Sequence, residues 1–301
     1  MKILLTGATG FLGSHIAENL LSHGFELILT RREKSKLDNC QSFYNSVIWT
    51  DTDSDSWIDK VIEFRPDIII HAAWNGVNAT NREDWNSQLS NIDFVYHLLK
   101  IARECEVEKF ISFGSQAEYG QFEGKINEDY PLNPISSYGA VKLSVLEMLK
   151  VFCNENIIKW YWLRVFSVFG ERENEHWLIP SVIKKMLSGG NEMDFTLGEQ
   201  KYAYLYVGDF AESILNVVMK DAPSGIYNLS SDNPISLKEL LMTVRDIVNP
   251  NFDLRFGVIP YRLNQSMHIE GDSIKFNQTF GKIDSSDFKV KLEHVINSYK
   301  N

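Results

Sequence analysis

The chain has 301 residues, 44% of them hydrophobic, which is enough for one large α/β domain with a smaller appendage. A formal net charge of −10 argues against nucleic acid or an anionic membrane as the main partner. Cys40, Cys105 and Cys153 have no metal-ligand spacing and an odd count, so they read as thiols in a reducing cytoplasm, with no metal site. No charged leader precedes a long apolar run, and no stretch reaches the length of a membrane span, so the expected location is cytoplasmic.

An apolar strand, Lys2-Ile3-Leu4-Leu5, runs into Thr6-Gly7-Ala8-Thr9-Gly10-Phe11-Leu12-Gly13. The first glycine permits a tight turn, and the second lets backbone N–H groups approach a pyrophosphate. The third lets the following helix pack close to the sheet. Residues 15–23 carry apolar positions at helical spacing, Gly24 ends them, and Phe25 to Leu29 form the next strand. This βαβ unit predicts dinucleotide contacts at Gly7, Thr9, Gly10, Phe11, Leu12 and Gly13. The second strand closes on Thr30-Arg31-Arg32, followed by Lys34 and Lys36, where NAD-selective sheets carry a carboxylate. A guanidinium can fork onto a 2′-phosphate, so Arg31 and Arg32 favour NADP(H), with NAD(H) left open. The alternative is a solvated basic turn.

The rhythm continues through Ile68 to Ala73, an unalternating apolar run suited to a strand buried on both faces. Helical spacing returns from Asn86 to Arg103. The strand Lys109 to Phe113, a helix over 140–153 and the strand Ile158 to Val165 follow. The pattern is that of a doubly wound parallel sheet, an α/β Rossmann domain over 1–169. After Phe169 the pieces become irregular, which predicts a mainly substrate-binding domain over 170–301, with part of 205–228 returning to the sheet.

Tyr138 and Lys142 lie one helical turn apart on one face. A phenol with its ordinary pKa near 10 is a poor acid–base at neutral pH, and an ammonium one turn away stabilises the phenolate. The same lysine could hold cofactor ribose hydroxyls. Upstream, Ser112-Phe113-Gly114-Ser115-Gln116-Ala117-Glu118-Tyr119-Gly120 ends a buried strand, and active sites of open α/β sheets collect there. Ser115 can hydrogen-bond a substrate carbonyl; its bland alternative is a turn-forming serine.

Together these features resemble the extended short-chain dehydrogenase/reductases, the NAD-dependent epimerase/dehydratase family of nucleotide-sugar enzymes. Further motifs that carry the resemblance are His71-Ala72-Ala73, Asn91, and Leu163-Arg164-Val165-Phe166-Ser167-Val168-Phe169-Gly170. Tyr206-Val207-Gly208-Asp209, Ile226-Tyr227-Asn228-Leu229 and Asp272-Ser273-Ile274-Lys275 before Phe280-Gly281 complete the set. The resemblance implies Ser115, Tyr138 and Lys142 as the catalytic trio. It implies further cofactor contacts at Asp51, Ala72, Ala73 and Asn91. Trp74, Gln116, Arg164, Ser167, Lys201 and Arg262 are the implied substrate contacts. A homodimer through the helices near 89–103 and 138–152 is implied as well.

Departures narrow the subtype. Where 4,6-dehydratases of the family carry an Asp and a Glu, this chain has Gln116 and Ala117, with Glu118 one place late. Related reductive epimerases need a cysteine at Gln116. The arginine usual before the Tyr-Val motif is missing, so Lys201 or Arg262 is expected to supply charge for the diphosphate. The segment Phe256 to Met267 is similar to 4-keto-6-deoxyhexose reductases, the CDP-abequose synthases among them. The expected activity is NADPH-dependent reduction at C4 of a nucleotide-linked 4-keto-6-deoxyhexose. The alternatives are an NAD-dependent 4-epimerase, a reductase of small carbonyl compounds, and a redox-inactive dinucleotide sensor. Trp160 and Trp162 read as core, while His176 and Trp177 fall in the expected substrate loop.

Overall fold

The computed structural model describes residues 1–78 and 81–300. Its first half is built from β1 (Lys2–Thr6), α1 (Phe11–Ser22), β2 (Glu26–Arg31), β3 (Ile48–Asp51), α2 (Trp57–Phe64) and β4 (Ile68–His71). α3 (Trp85–Glu104), β5 (Lys109–Ser115), a short β6 (Gly124–Ile126), α4 (Ser137–Glu155) and β7 (Lys159–Val165) follow. The second half opens with β8 (Ser167–Phe169), α5 (Leu178–Leu187), β9 (Glu192–Phe195), β10 (Lys201–Tyr206), α6 (Val207–Met219) and β11 (Gly225–Leu229). It ends with β12 (Pro234–Ser236), α7 (Leu237–Val248), β13 (Asp253–Phe256), β14 (His268–Gly271), α8 (Ile274–Phe280) and α9 (Phe288–Ser298).

Seven parallel strands form the main sheet in the order β11-β7-β5-β4-β1-β2-β3. The chain moves outward from β1 to β3, then crosses back to β4, which leaves a crevice between β1 and β4 at their carboxyl ends. Side-chain alternation divides the sheet's apolar residues between two cores. Ile3 and Leu5 pack with Ile16 and Leu20 of α1 and with Phe210 and Ile214 of α6. Leu4 faces the opposite way, into the core built with Val61 of α2, Leu98 of α3 and Leu149 of α4. Trp160 and Trp162 are buried in this second core. A third core lies between α5, α7 and α9, with Phe195 and Leu254 from the pair β9–β13.

Element ends differ from the sequence expectation where side chains do not mark them. α1 starts at Phe11 rather than residue 15, because Gly10 serves as its N-cap and the glycine-rich stretch already coils. α4 starts at Ser137, with the Ser136 hydroxyl accepting the Gly139 N–H at 3.1 Å, so Tyr138 sits in its first turn. All three cysteines are free and buried. Among the described residues, no helix is long and apolar enough to cross a membrane.

The chain revisits the main sheet twice. α6 and β11 do so first, as expected for part of 205–228, and then α8 brings Phe276 and Phe280 onto the α1/α6 face, a return the expected substrate-binding domain over 170–301 does not include. Phe280 meets Tyr227 edge-on at 5.0 Å and Tyr161 at 5.5 Å. Phe280→Ala is therefore expected to cost about 3–5 kcal/mol in urea denaturation. A loss below about 1 kcal/mol would show that α8 does not close this core.

Candidate active site

The carboxyl ends of β1, β4 and β5 open into a cleft of about 1390 Å³ that runs on between the main sheet and the α5/α7 side. At its floor the turn after β1 is set by two close approaches. Gly7 has φ +77°, and a Cβ there would fall 2.6 Å from the Ala72 carbonyl carbon. A Cβ at Gly13 would fall 2.2 Å from the Gly7 oxygen, so α1 packs on the turn itself. No side chain caps α1 and no acidic residue lies in its first turn, so its N–H groups point at the cleft beside Thr9, Phe11 and Leu12. A cradle with no room for side chains and an uncapped helix N-terminus fit a dinucleotide pyrophosphate. Ala72 and Ala73 form the facing wall.

Arg31 and Arg32 both line the far end, with Ser35 and Lys36. Asp51 is not on the cleft wall. Its carboxylate accepts from Arg31 Nε at 2.7 Å, since β3 pairs with β2 and brings Asp51 level with Arg31. The Arg31 guanidinium also reaches the Tyr44 hydroxyl at 3.2 Å and lies 5.8 Å from the Trp49 ring centre. Arg32 is exposed and makes no salt bridge among the described residues. Asn91 lines the cleft with its amide committed: its oxygen takes the Asn75 N–H at 2.7 Å, and its nitrogen donates to the Asn75 and Gln88 carbonyls.

Ser115, Tyr138 and Lys142 converge on the middle of the cleft. The Ser115 hydroxyl accepts the Ala117 N–H at 3.2 Å, as a turn-forming serine does, while the residue lines the cleft. Burial raises the Tyr138 phenol, while Arg82 and a hydrogen bond with Ser115 draw it down. The expected partnership of Tyr138 with Lys142 is altered. The shared helix face is there, but the long lysine reaches past the ring and donates to the Phe113 carbonyl at 2.7 Å. Its Nζ rests 3.4 Å from the centre of the Trp74 indole, and burial draws the ammonium down to about 7.

Arg164 is a correction: it is fully buried and touches no part of the cleft. Its Nε donates to Glu118 at 2.7 Å and its Nη1 to the Tyr119 hydroxyl at 3.0 Å. Glu118 does not line the cleft: residues 116–118 coil into a 3-10 turn that aims its carboxylate into the protein interior. There it accepts the Ser115 N–H at 2.7 Å and the Trp162 Nε1–H at 3.0 Å, fixing the end of β5. Gln116 faces the cleft with its Oε1 buried and unpartnered, and Ala117 carries no acid.

On the far wall β10 alternates, so Tyr202 and Tyr204 face the cleft, with Gln200 just before the strand. Lys201 is turned out and exposed, a second correction. Arg262 lines the cleft near Tyr202, whose hydroxyl accepts Gln265 Nε2 at 2.8 Å. Trp74, Ser167 and Trp177 also line it, while His176 is exposed outside. Sequence reasoning missed Arg82, Tyr202, Tyr204 and Glu173. The Glu173 carboxyl is pushed up to about 8 by burial, with Oε2 unpartnered. The strict alternation of β10 could have pointed to both tyrosines, but nothing local marks Arg82 or Glu173. Among the described residues, no cluster fit for a metal ion is present.

The glycine turn, the Ser-Tyr-Lys convergence and the strand order agree with one known family. The model of the NAD dependent epimerase/dehydratase family matches residues 3–230. The chain belongs to that family. A putative UDP-glucose 4-epimerase of Methanocaldococcus jannaschii is 28% identical to this epimerase/dehydratase chain, over 99% of it and 98% of the relative. CDP-abequose synthase of Salmonella muenchen is 27% identical, over 88% of this chain and 87% of its own. The fold matches that of UDP-glucuronic acid 4-epimerase from Bacillus cereus, solved with UDP-glucuronic acid and NAD. The TM-score is 0.87 at 22% identity, over 100% of this chain and 99% of that one.

The buried Lys142 gives a pH signature. Its ammonium titrates near 7 in the folded enzyme and near 10.5 as an ordinary lysine, so between these values the unfolded chain holds the extra proton. The destabilisation is full below pH 7 and is relieved as pH rises to 10.5, by up to about 1.4 kcal/mol per unit. Comparing wild type with Lys142→Met by urea denaturation across this window should show a rise in wild type that the variant lacks.

Proposed function

We propose that this enzyme uses NADPH to reduce the C4 ketone of a nucleotide-linked 4-keto-6-deoxyhexose in the cytoplasm, as a step of deoxysugar or polysaccharide biosynthesis. One observation carries the reading: Ser115 and Tyr138 meet on a wall whose neighbouring positions, Gln116 and Ala117, hold no second acid–base pair. Such a site can move one proton and one hydride, and beside Ser115 it lacks the acid and base that the family's dehydratases carry. When bound, the nicotinamide supplies the hydride to the sugar carbon. Tyr138 gives its proton to the carbonyl oxygen. Ser115, held through its N–H by Glu118, donates a hydrogen bond to the same oxygen as charge develops there. Lys142 serves the cofactor ribose, and Arg262 with Tyr202 and Gln265 supplies the diphosphate site. The Arg32 guanidinium, unpaired among the described residues, supports NADP(H). The similarity to CDP-abequose synthase supports the substrate class. A homodimer through α3 and α4, where Leu89, Tyr96 and Val151 are exposed, belongs to the same reading.

A 4-epimerase that returns the hydride to the same sugar is the second reading. The Arg31–Asp51 pair favours it, because a carboxylate beside the ribose end opposes a 2′-phosphate. Purified enzyme mixed with NADPH and a panel of dTDP-, CDP- and GDP-linked 4-keto-6-deoxyhexoses decides between them. Stoichiometric loss of NADPH absorbance with one member is the expected result. No consumption, together with tightly bound NAD, would hand the site to the epimerase.

Tyr138→Phe should lower turnover by about 10²–10⁴-fold while leaving dinucleotide affinity unchanged. For the diphosphate, Arg262→Ala should weaken nucleotide-sugar binding by roughly 10–100-fold, the loss of a charge-assisted hydrogen bond. Lys201→Ala should leave it unchanged. Full affinity in the Arg262 variant would place the diphosphate elsewhere.

A further inference from the structure

Tyr138 is enclosed from three directions. On its own helix, Lys142 Nζ stands 5.8 Å from the phenol ring centre, held by the Phe113 carbonyl and the Trp74 face. From the end of β5 and the turn after it come Ser115 and the carboxylate of Glu118, which is paired with Arg164. From the segment between β4 and α3 come Trp74, edge-on at 6.0 Å, and Arg82, whose guanidinium carbon lies 4.4 Å from the ring centre. Glu83 in the same segment meets the Ser137 N–H at 3.4 Å.

Arg82 is held in place by its own main chain. Its carbonyl accepts the Tyr138 N–H at 3.1 Å and the Ser137 hydroxyl at 2.7 Å. Buried Gln88 clamps the segment, donating to the Gly76 and Asn81 carbonyls at 2.8 and 3.0 Å and accepting from Trp74 Nε1 at 2.9 Å. The segment is therefore tied to the first turn of α4 through Arg82 and to α3 through Gln88.

We propose that Arg82 is the positioning residue that stabilises the Tyr138 phenolate, a task that the Tyr–Lys spacing alone would give to Lys142. An opposite charge within about 4–6 Å of an acid favours its ionised form. A guanidinium keeps its charge at every working pH, whereas an ammonium buried against an indole and a carbonyl readily loses its proton. Among the groups around the ring, Arg82 leads those that draw the buried phenol down, and its charge adds to the burial that draws Lys142 down. The division leaves Lys142 free for the cofactor ribose. It also places control of the reacting phenol on the segment between β4 and α3.

This inference rests on Tyr138 as the proton donor, and the test separates the two. In the full-length enzyme saturated with NADPH, phenolate absorbance is titrated against Tyr138→Phe, and the pH profile of kcat is recorded with the preferred sugar. Arg82→Met should raise the Tyr138 pKa by about one unit or more and move the kcat profile with it. Arg82→Lys, which keeps the charge without the planar fork, should recover part of both shifts. KM should stay near that of wild type. An unmoved Tyr138 titration in both variants overturns the proposal. So does a loss confined to KM, which would make Arg82 a substrate contact. If Tyr138→Phe itself retains turnover, the acid–base reading fails, while the titration still decides the Arg82–Tyr138 coupling.

Discussion

Glu118 is a carboxylate with no exposure to water, and its surroundings determine where the reacting groups stand. Three donors from two strands meet on it: the Ser115 N–H from the end of β5, and the Trp162 indole and Arg164 guanidinium from β7. An isolated buried carboxylate is very costly, so the Arg164 charge is required, and removing either partner leaves the other stranded. The pair therefore locks β5 to β7 at the height where the cleft begins. Ser115 inherits that rigidity, and the 3-10 turn that carries Glu118 presents Gln116 to the cleft.

A second level of organisation rests on the segment between β4 and α3. Gln88 and Asn91 spend their amide groups on its backbone, which holds Trp74 and Arg82 against α4. Tyr138 is thus gripped from both sides: by the sheet through Ser115, and by this segment through Arg82. Fixed geometry of this kind lowers the reorganisation needed when charge develops on the substrate oxygen.

Much of this was legible because its causes are local. Glycines at 7, 10 and 13 announce a turn that admits no side chain, and the apolar runs announce strands covered on both faces. Tyr138 and Lys142 share a helix face because four residues make about one turn. What escaped depends on pairing across the fold. Asp51 becomes a partner of Arg31 only through the β2–β3 register, and Arg164 is claimed by a carboxylate 46 residues away. Lys201 fails as a cleft residue by one step of strand alternation, which motif matching does not register. Arg82 lies in no motif, and its importance comes from where Gln88 anchors the chain. The same reasoning explains the tension at the cofactor end. Two basic residues in sequence become, in space, one guanidinium answered by Asp51 and one left exposed.

The double return of the chain to the main sheet has a consequence for recombining this enzyme with its relatives. The wall of the cleft opposite the dinucleotide turn is carried by residues on β10 and around Arg262, yet α6 and β11 lie between them in sequence, and α8 follows. No single cut in the polypeptide separates the two walls of the cleft. A chimaera that exchanges the far wall of the cleft would need two inserts exchanged together, 170–206 and 230–273, with α6, β11 and α8 kept from the parent whose sheet they complete.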